Sequence, residues 1–507
     1  MAIKVGLLIA FFILTICIGI YSRRHAGDVG SFVLGGRSVG MWLTAFAYGT
    51  SYFSAVIFVG YAGQFGWKYG MSATWIGIGN AVIGSLLAWV VLGRRTRVMT
   101  QHLGSSTMPD FFERRYGSGK LKIAASAIIF VFLIPYTASL YNGLSRIFAM
   151  AFGIDYTYCV IAMAVITCIY VVAGGYMATA INDFIQGLIM LVGIVLIIVT
   201  VVNGQGGFSE AVRKLGEIEE SGVPLGSLNS LFGPDPVNLL GVVALTSLGT
   251  WGLPQMVHKF YAIKSESAVK RGTIVSTLFA VVIAGGCYFL GGFGRLFADR
   301  PEIYNATTGA PIFDAIMPAM LGTLSDALIG VAMLLVFSAS MSTLSSLVLA
   351  SGSTLTLDFI KPLFRKDMAE KSQLLTIRVL IVFFVVVSGG LALLQYKSAV
   401  TFIAQLMGIS WGALAGAFIA PFMYGLYWKR VTVPAVWVSF AVGVGITVSN
   451  MLLNLAGRPF IKSPINAGAI AMIAGLVAVP LVSLVTRKPK AELIVNAFSC
   501  FDKRGET

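Results

Sequence analysis

AYGTSYFS, Ala47 to Ser54, interrupts an apolar run with glycine and hydroxyl side chains, and SLGTWGLP, Ser247 to Pro254, does the same far along the chain. Glycine costs about 1 kcal/mol in a helix interior and proline about 3 kcal/mol. A continuous helix is therefore disfavoured at both places. In lipid, a break strands backbone N–H and C=O groups, so it persists only where it is buried in protein or lines a cavity. Unwound backbone there frees carbonyls for a cation and exposes half-helix N-termini to an anion. The competing reading is that small residues let helices pack closely.

The sequence around these breaks sets the class. The chain has 507 residues, of which 57% are hydrophobic and 11% charged, with a mean hydropathy of +0.86. Soluble domains carry about 25% charged residues. Continuous apolar runs such as Ile3–Ser22 and Phe184–Val202 match the roughly 20 residues that span a bilayer as a helix. Barrel strands would be shorter and would alternate. The reading is an all-α integral membrane protein of about thirteen spans: 3–22, 40–65, 70–93, 121–152, 156–175, 183–203, 237–257, 272–296, 323–350, 376–395, 400–427, 431–454 and 467–485. One transmembrane domain, 1–486, is then followed by a short cytoplasmic tail, 487–507. The two breaks lie five spans apart. Spans two to six and seven to eleven thus read as two five-helix repeats, about 40–203 and 237–427, inverted because each holds an odd number of spans.

The formal charge of +15 would point to nucleic acid in a soluble protein, but here the basic residues fall in short loops. With the N-terminus outside, inner loops hold Arg94, Arg95 and Arg97, then Lys259, Lys264, Lys270 and Arg271, and far fewer basic residues lie outside. That bias predicts an outer N-terminus and an inner C-terminus in a cell membrane. The outer loop 204–236 has room for a short surface helix. The first run lacks a basic start and a cleavage site, and reads as a retained span. Five cysteines form no CxxC or CxxxH pattern, so neither a metal site nor a disulfide framework is expected. The three histidines read as loop residues. A membrane enzyme would need clustered His, Cys or acids at depth, which counts against one. The absence of an appended signalling domain counts against a solute sensor.

The ninth span carries FSASMSTLSS, Phe337 to Ser346. Ala339 and Thr343, and Ser342 and Ser346, are four apart and share a helix face. Neutral hydroxyls and freed carbonyls can replace the water of a hard cation, although serine and threonine also bond helices together. Only Asp183 and Arg146 are candidate charges inside spans, where charge is costly and usually functional. The plainer readings are an N-cap at the membrane edge for Asp183 and snorkelling to the outer interface for Arg146.

The motifs FVLGGRSVG (32–40), AGGYMATAINDFIQGLIMLVG (173–193), GLPQMVHKFYAIKS (252–265), GGFGRL (291–296), SASMSTLSS (338–346) and GLYWKR (425–430), in this order and spacing, resemble the sodium:solute symporter family. AFAYGTSYFSA (45–55) and GISWGALAGAFIAP (408–421) resemble its sodium/proline and sodium/pantothenate branches. The resemblance implies a leucine-transporter-like five-plus-five inverted repeat with one extra N-terminal and two extra C-terminal helices. It implies Na+ as coupling ion and no organic cofactor, a small organic solute and the lipid bilayer as partners, and neither nucleic acid nor an obligate protein partner.

Carried residue by residue, the family's principal sodium site falls on the carbonyls of Thr50, Phe53 and Ala339 and the hydroxyls of Ser342 and Thr343. A second site, found in some members, would use Asp183, Ser345 and Ser346, with Ser342 between the two. Solute is expected between the breaks and spans four and eleven, near Tyr52, Ser54, Tyr136, Asn142, Thr250, Trp251, Gln405 and Trp411. Aromatic walls with few polar groups suit a small, partly apolar solute, and half-helix N-termini suit a carboxylate: an amino acid such as proline, pantothenate or a monocarboxylate. The proline branch has Asp where Tyr52 stands, which counts against proline. Tyr52, Ile57 and Ile76 replace the polar residues of sugar-transporting members, which counts against a polyol. The main alternative is a transporter of the same fold driven by protons or by exchange.

Overall fold

The computed structural model describes residues 2–220, 222–398, 403–458 and 460–502. Among them no β-strand forms, and the chain is a bundle of helices. In order these are α1 (Ala2–Ser22), α2 (Met41–Tyr52), α3 (Val56–His102), α4 (Gly119–Phe152), α5 (Tyr156–Gly204), α6 (Phe208–Gly216), α7 (Pro236–Gly252), α8 (Pro254–Ala262), α9 (Glu266–Gly291), α10 (Asp326–Phe364), α11 (Glu370–Ser398), α12 (Ile403–Tyr427), α13 (Val433–Leu455), α14 (Pro464–Val485) and α15 (Ala491–Asp502). The surface helix foreseen in the outer loop is α6.

By length and composition ten helices can cross a membrane, or eleven if α7 and α8 count as one bent span. That is fewer than the thirteen expected, and the difference lies in α3 and α5, of 47 and 49 residues. At 1.5 Å per residue each would reach about 70 Å if straight, more than twice a hydrocarbon core of about 30 Å. Neither is straight. Gly70 (φ 58°, ψ −136°) interrupts α3 and Gly175 (φ 55°, ψ −145°) interrupts α5, backbone that only glycine adopts cheaply.

Both breaks read from the sequence are present. α2 ends at Phe53 in extended backbone (φ −93°, ψ 119°). α7 ends at Leu253 (φ −79°, ψ 123°), and α8 departs at 45°. Pro254 drives the second break, because proline pushes the preceding residue out of helical conformation and then suits the first turn of a new helix. The most apolar windows of α10 and α12 are 78% and 83% buried, against 33% for α1 and for α13. The hydroxyl ridge of α10 therefore runs through the middle of the bundle, while α1 and α13 face outward.

Several expectations are corrected. His258 and Lys259 are not loop residues but lie in α8, Lys259 only 2% exposed. Asp183 is no N-cap: its helix resumes after Gly175, so it sits in a helix interior and is fully buried. Arg146 does not simply snorkel, since its Nε lies 3.9 Å from Asp314 Oδ2. The tail after α14 folds into α15, which packs against the end of α3 and the short helix Met108–Tyr116 with Phe498 and Phe501 buried.

Candidate ion and solute sites at the helix breaks

The first break meets the α10 ridge. Ser342 Oγ donates to the Thr50 carbonyl at 3.0 Å and shares the Ala339 carbonyl at 3.1 Å. Thr343 Oγ1 lies 3.2 Å from the Thr50 carbonyl, 3.3 Å from that of Ser51 and 3.0 Å from that of Ala339. Two hydroxyls thus converge with three carbonyls, all buried, in the last turn before unwound backbone. Thr50, Ala339, Ser342 and Thr343 come together as expected. Ser51 joins them, which sequence reasoning missed. Phe53 marks the break itself, and none of these hydrogen bonds reaches its carbonyl.

A second cluster lies one turn along α10. Ser346 Oγ is 2.8 Å from Ser51 Oγ and accepts from Lys259 Nζ at 2.9 Å. Lys259 Nζ is also 3.5 Å from Asp183 Oδ2 and 5.3 Å from the Tyr176 ring centroid. Asp183 Oδ1 has no hydrogen-bond partner. Ser345 turns back onto its own helix, donating to the Ser342 carbonyl at 2.9 Å. Lys259 thus joins Asp183 and Ser346, Ser345 makes its hydrogen bond within its own helix, and a lysine stands where only oxygens were foreseen. Its signal was present in the sequence: Gln255 and Lys259 are four apart in the short helix after Pro254 and share a face. Gln255 and Gln186 are both buried with amides that make no hydrogen bond. Gln186 follows Asp183 by three residues, again on one face.

Aromatic rings make the third feature. Tyr52 stacks on Trp411 with centroids 5.8 Å apart and planes at 28°, and Tyr136 meets the same indole edge-on at 5.9 Å. Gly249 in α7 lets Trp411 approach, since a Cβ there would lie 2.7 Å from Trp411 Cε3. The Tyr136 hydroxyl and the Trp411 indole N–H are buried without hydrogen-bond partners, whereas Tyr52 donates to the Thr246 carbonyl at 2.6 Å. These three rings join the first break, α4 and α12 as foreseen.

Most of the other expected solute contacts also make hydrogen bonds within the protein. Ser54 Oγ accepts from the Val56 N–H inside the break. Thr250 Oγ1 donates to the Gly84 carbonyl at 3.0 Å and Trp251 Nε1 to that of Ile83 at 2.9 Å, so both serve packing of α7 on α3. Asn142 accepts from Tyr156 at the start of α5. The Gln405 side chain lies outside the described residues. Asn80 was missed: its carbonyl oxygen accepts from Thr246 and Ser247, and its amide nitrogen has no partner.

Unwound helices at depth, an uncharged oxygen cluster and a group of buried aromatic rings fit a secondary transporter. The sodium:solute symporter family profile matches residues 32–443, and the chain belongs to that family. It is a multi-pass membrane protein that couples solute movement to sodium. It is 26% identical over 503 residues to the osmoregulated proline transporter OpuE of Bacillus subtilis (strain 168), covering 97% of this chain and 96% of that one. It is 29% identical over 499 residues to the sodium/proline symporter of Staphylococcus aureus (strain JH9), covering 95% and 92%. Among solved structures, a Na+-coupled sialic acid symporter superposes with a TM-score of 0.74 at 16% identity, covering 96% of this chain and 99% of that one. At that identity the likeness concerns the fold.

Proposed function

We propose that the coupling sodium binds where the Thr50 and Ala339 carbonyls meet the Ser342 and Thr343 hydroxyls, and that the solute is a small carboxylate with a compact apolar body. One observation carries the ion site: neutral oxygens from two helices converge within 3.3 Å of one another at a break. A hard cation needs several such oxygens. The Tyr136 O–H and Trp411 N–H make no hydrogen bond and stand with Tyr52 among buried aromatic rings. Such donors recognise carboxylate oxygens, and the rings accept an apolar body. The start of α8, with its positive dipole end, favours the same charge. Relatives named for proline transport make an imino or amino acid the first solute to try. Tyr52, in place of an acid, favours a carrier tolerant of other carboxylates, pantothenate and monocarboxylates included.

The two breaks, five spans apart, support an inverted repeat over about 40–203 and 237–427, one half rocking against the other to expose the site alternately. The basic inner loops support an N-terminus outside and a C-terminus in the cytoplasm. One charge falling through 100 mV yields about 2.3 kcal/mol, so a single sodium drives appreciable accumulation, and its concentration gradient adds to that.

The test is uptake of labelled proline, other amino acids, pantothenate and monocarboxylates into proteoliposomes, with sodium or potassium outside. Sodium-dependent uptake of one of these that collapses in Ser342→Ala/Thr343→Ala supports the reading. Uptake driven equally well by a pH gradient without sodium, or by solute exchange, overturns it.

A further inference from the structure

We propose that the Lys259 ammonium is a tethered cation that fills the Asp183–Ser346 site in place of a second sodium, so that this chain moves one sodium per solute. Asp183 is fully buried, and a buried carboxylate needs a cation or a full set of donors. Lys259 supplies the cation from α8, with Nζ 3.5 Å from Asp183 Oδ2 and 2.9 Å from Ser346 Oγ, over the face of Tyr176. The ammonium takes the place a sodium would hold between Asp183 Oδ2 and Ser346, and the Ser346 hydroxyl also meets Ser51. A sodium ion placed on Asp183 and Ser346 would stand within contact distance of a second positive charge. The remaining Asp183 oxygen and the nearby Gln186 amide have no partner, so removal of the ammonium leaves a ready oxygen site. The tether also joins α8, just past the second break, to α5 and α10. The first cluster, by contrast, holds no ammonium in its hydrogen bonds, and sodium is left free to bind there.

The proposal rests on the first cluster being a sodium site, and the experiment separates the two claims. Saturable binding of radioactive sodium to the purified full chain is counted by equilibrium dialysis. The expectation is one sodium per chain in the wild type, lost in Ser342→Ala/Thr343→Ala, and two per chain in Lys259→Gln. One of the two should survive when Ser342→Ala/Thr343→Ala is added to Lys259→Gln. Lys259→Arg, which keeps the charge, should bind one, and so should Asp183→Asn/Lys259→Gln. Two sodium ions in the wild type falling to one in Asp183→Asn would overturn the proposal. So would a Lys259→Gln protein that keeps its first sodium and gains none. Should Lys259→Gln fail to keep the first sodium, the wild-type count decides alone, one ion supporting and two overturning. A wild type whose sodium binding is indifferent to Ser342 and Thr343 overturns the first-site reading instead.

Discussion

Ser342 Oγ donates to the Thr50 carbonyl at 3.0 Å, joining the middle of α10 to the last turn of α2. The same hydroxyl reaches Ala339, and Thr343 repeats the pattern. Without an ion the hydroxyl hydrogens satisfy the carbonyls. With one, the hydrogens must rotate away and present lone pairs. The pairing thus keeps the two helices in register while the ion is absent, at the modest net energy of neutral hydrogen bonds, about 1 kcal/mol each.

Removing either hydroxyl should weaken sodium more than it weakens the fold. Loss of one oxygen ligand is expected to cost about 1–3 kcal/mol, or roughly a 5–150-fold rise in the sodium concentration for half-maximal uptake. Thr343→Ser, which keeps the oxygen, should stay within a few-fold of wild type. Uptake measured against a sodium series decides this, and equal responses of Thr343→Ala and Thr343→Ser would remove the hydroxyl from the ion's shell.

The aromatic wall makes a different prediction. Trp411→Phe keeps a ring against Tyr52 but deletes the unspent N–H, and Tyr136→Phe deletes the unspent O–H. Each should raise the KM for solute about tenfold, the price of one hydrogen bond to a charged group. Neither alters the ion's ligands, so sodium affinity without solute should be unchanged. By linkage, the gain in sodium affinity that solute confers should shrink. Uptake kinetics paired with sodium binding read both quantities.

Gly249 tests the geometry of the same wall. A Cβ there would fall 2.7 Å from Trp411 Cε3, and the indole is itself fully buried. Gly249→Ala must therefore push the ring toward Tyr52 and Tyr136 or push α7 off α12. Overpacking of this kind costs about 1–3 kcal/mol. The expectation is a folded protein with a solute KM raised at least as far as in Trp411→Phe. A solute KM in Gly249→Ala/Trp411→Phe no higher than in Trp411→Phe alone, because the smaller ring makes room, would identify the collision as the cause.

The sequence reported some parts of this arrangement and hid others for physical reasons. Both helix breaks were legible because Gly, Thr, Ser and Pro in an apolar run conflict with a continuous helix. The α10 ridge was legible because four-residue spacing puts hydroxyls on one face. Lys259 was misplaced because a basic residue shortly before Lys264, Lys270 and Arg271 extends a run that resembles an inner loop, and only packing shows that its partner is Asp183. Thr250 and Trp251 flank a break, and packing adds what pattern does not show, that they donate to the carbonyls of Gly84 and Ile83. Periodicity names the face of a helix but not the neighbour it meets.

The C-terminal segment gives the last prediction. In α15, Phe498 lies under the guanidinium of Arg115, 4.9 Å from ring centroid to Cζ, and Phe501 under that of Arg95 at 4.6 Å. Arg115 in turn donates to the carbonyls of Gly425 and Trp428, closing the end of α12. Leu493 packs against Gly117, and His102 Nε2 lies 2.8 Å from the Asn496 carbonyl. The helix therefore ties the ends of α3, α12 and the short helix Met108–Tyr116 together from one side. Phe498→Ala removes a buried ring and its cation–π contact with Arg115, for a combined loss of about 2–4 kcal/mol. The melting temperature of the purified protein should fall by several degrees, with Phe498→Leu intermediate. The candidate ion and solute sites lie elsewhere in the bundle, so the sodium and solute KM values should hold. A variant with wild-type melting but altered KM would mean that α15 acts on the transport cycle rather than on the stability of this end of the bundle.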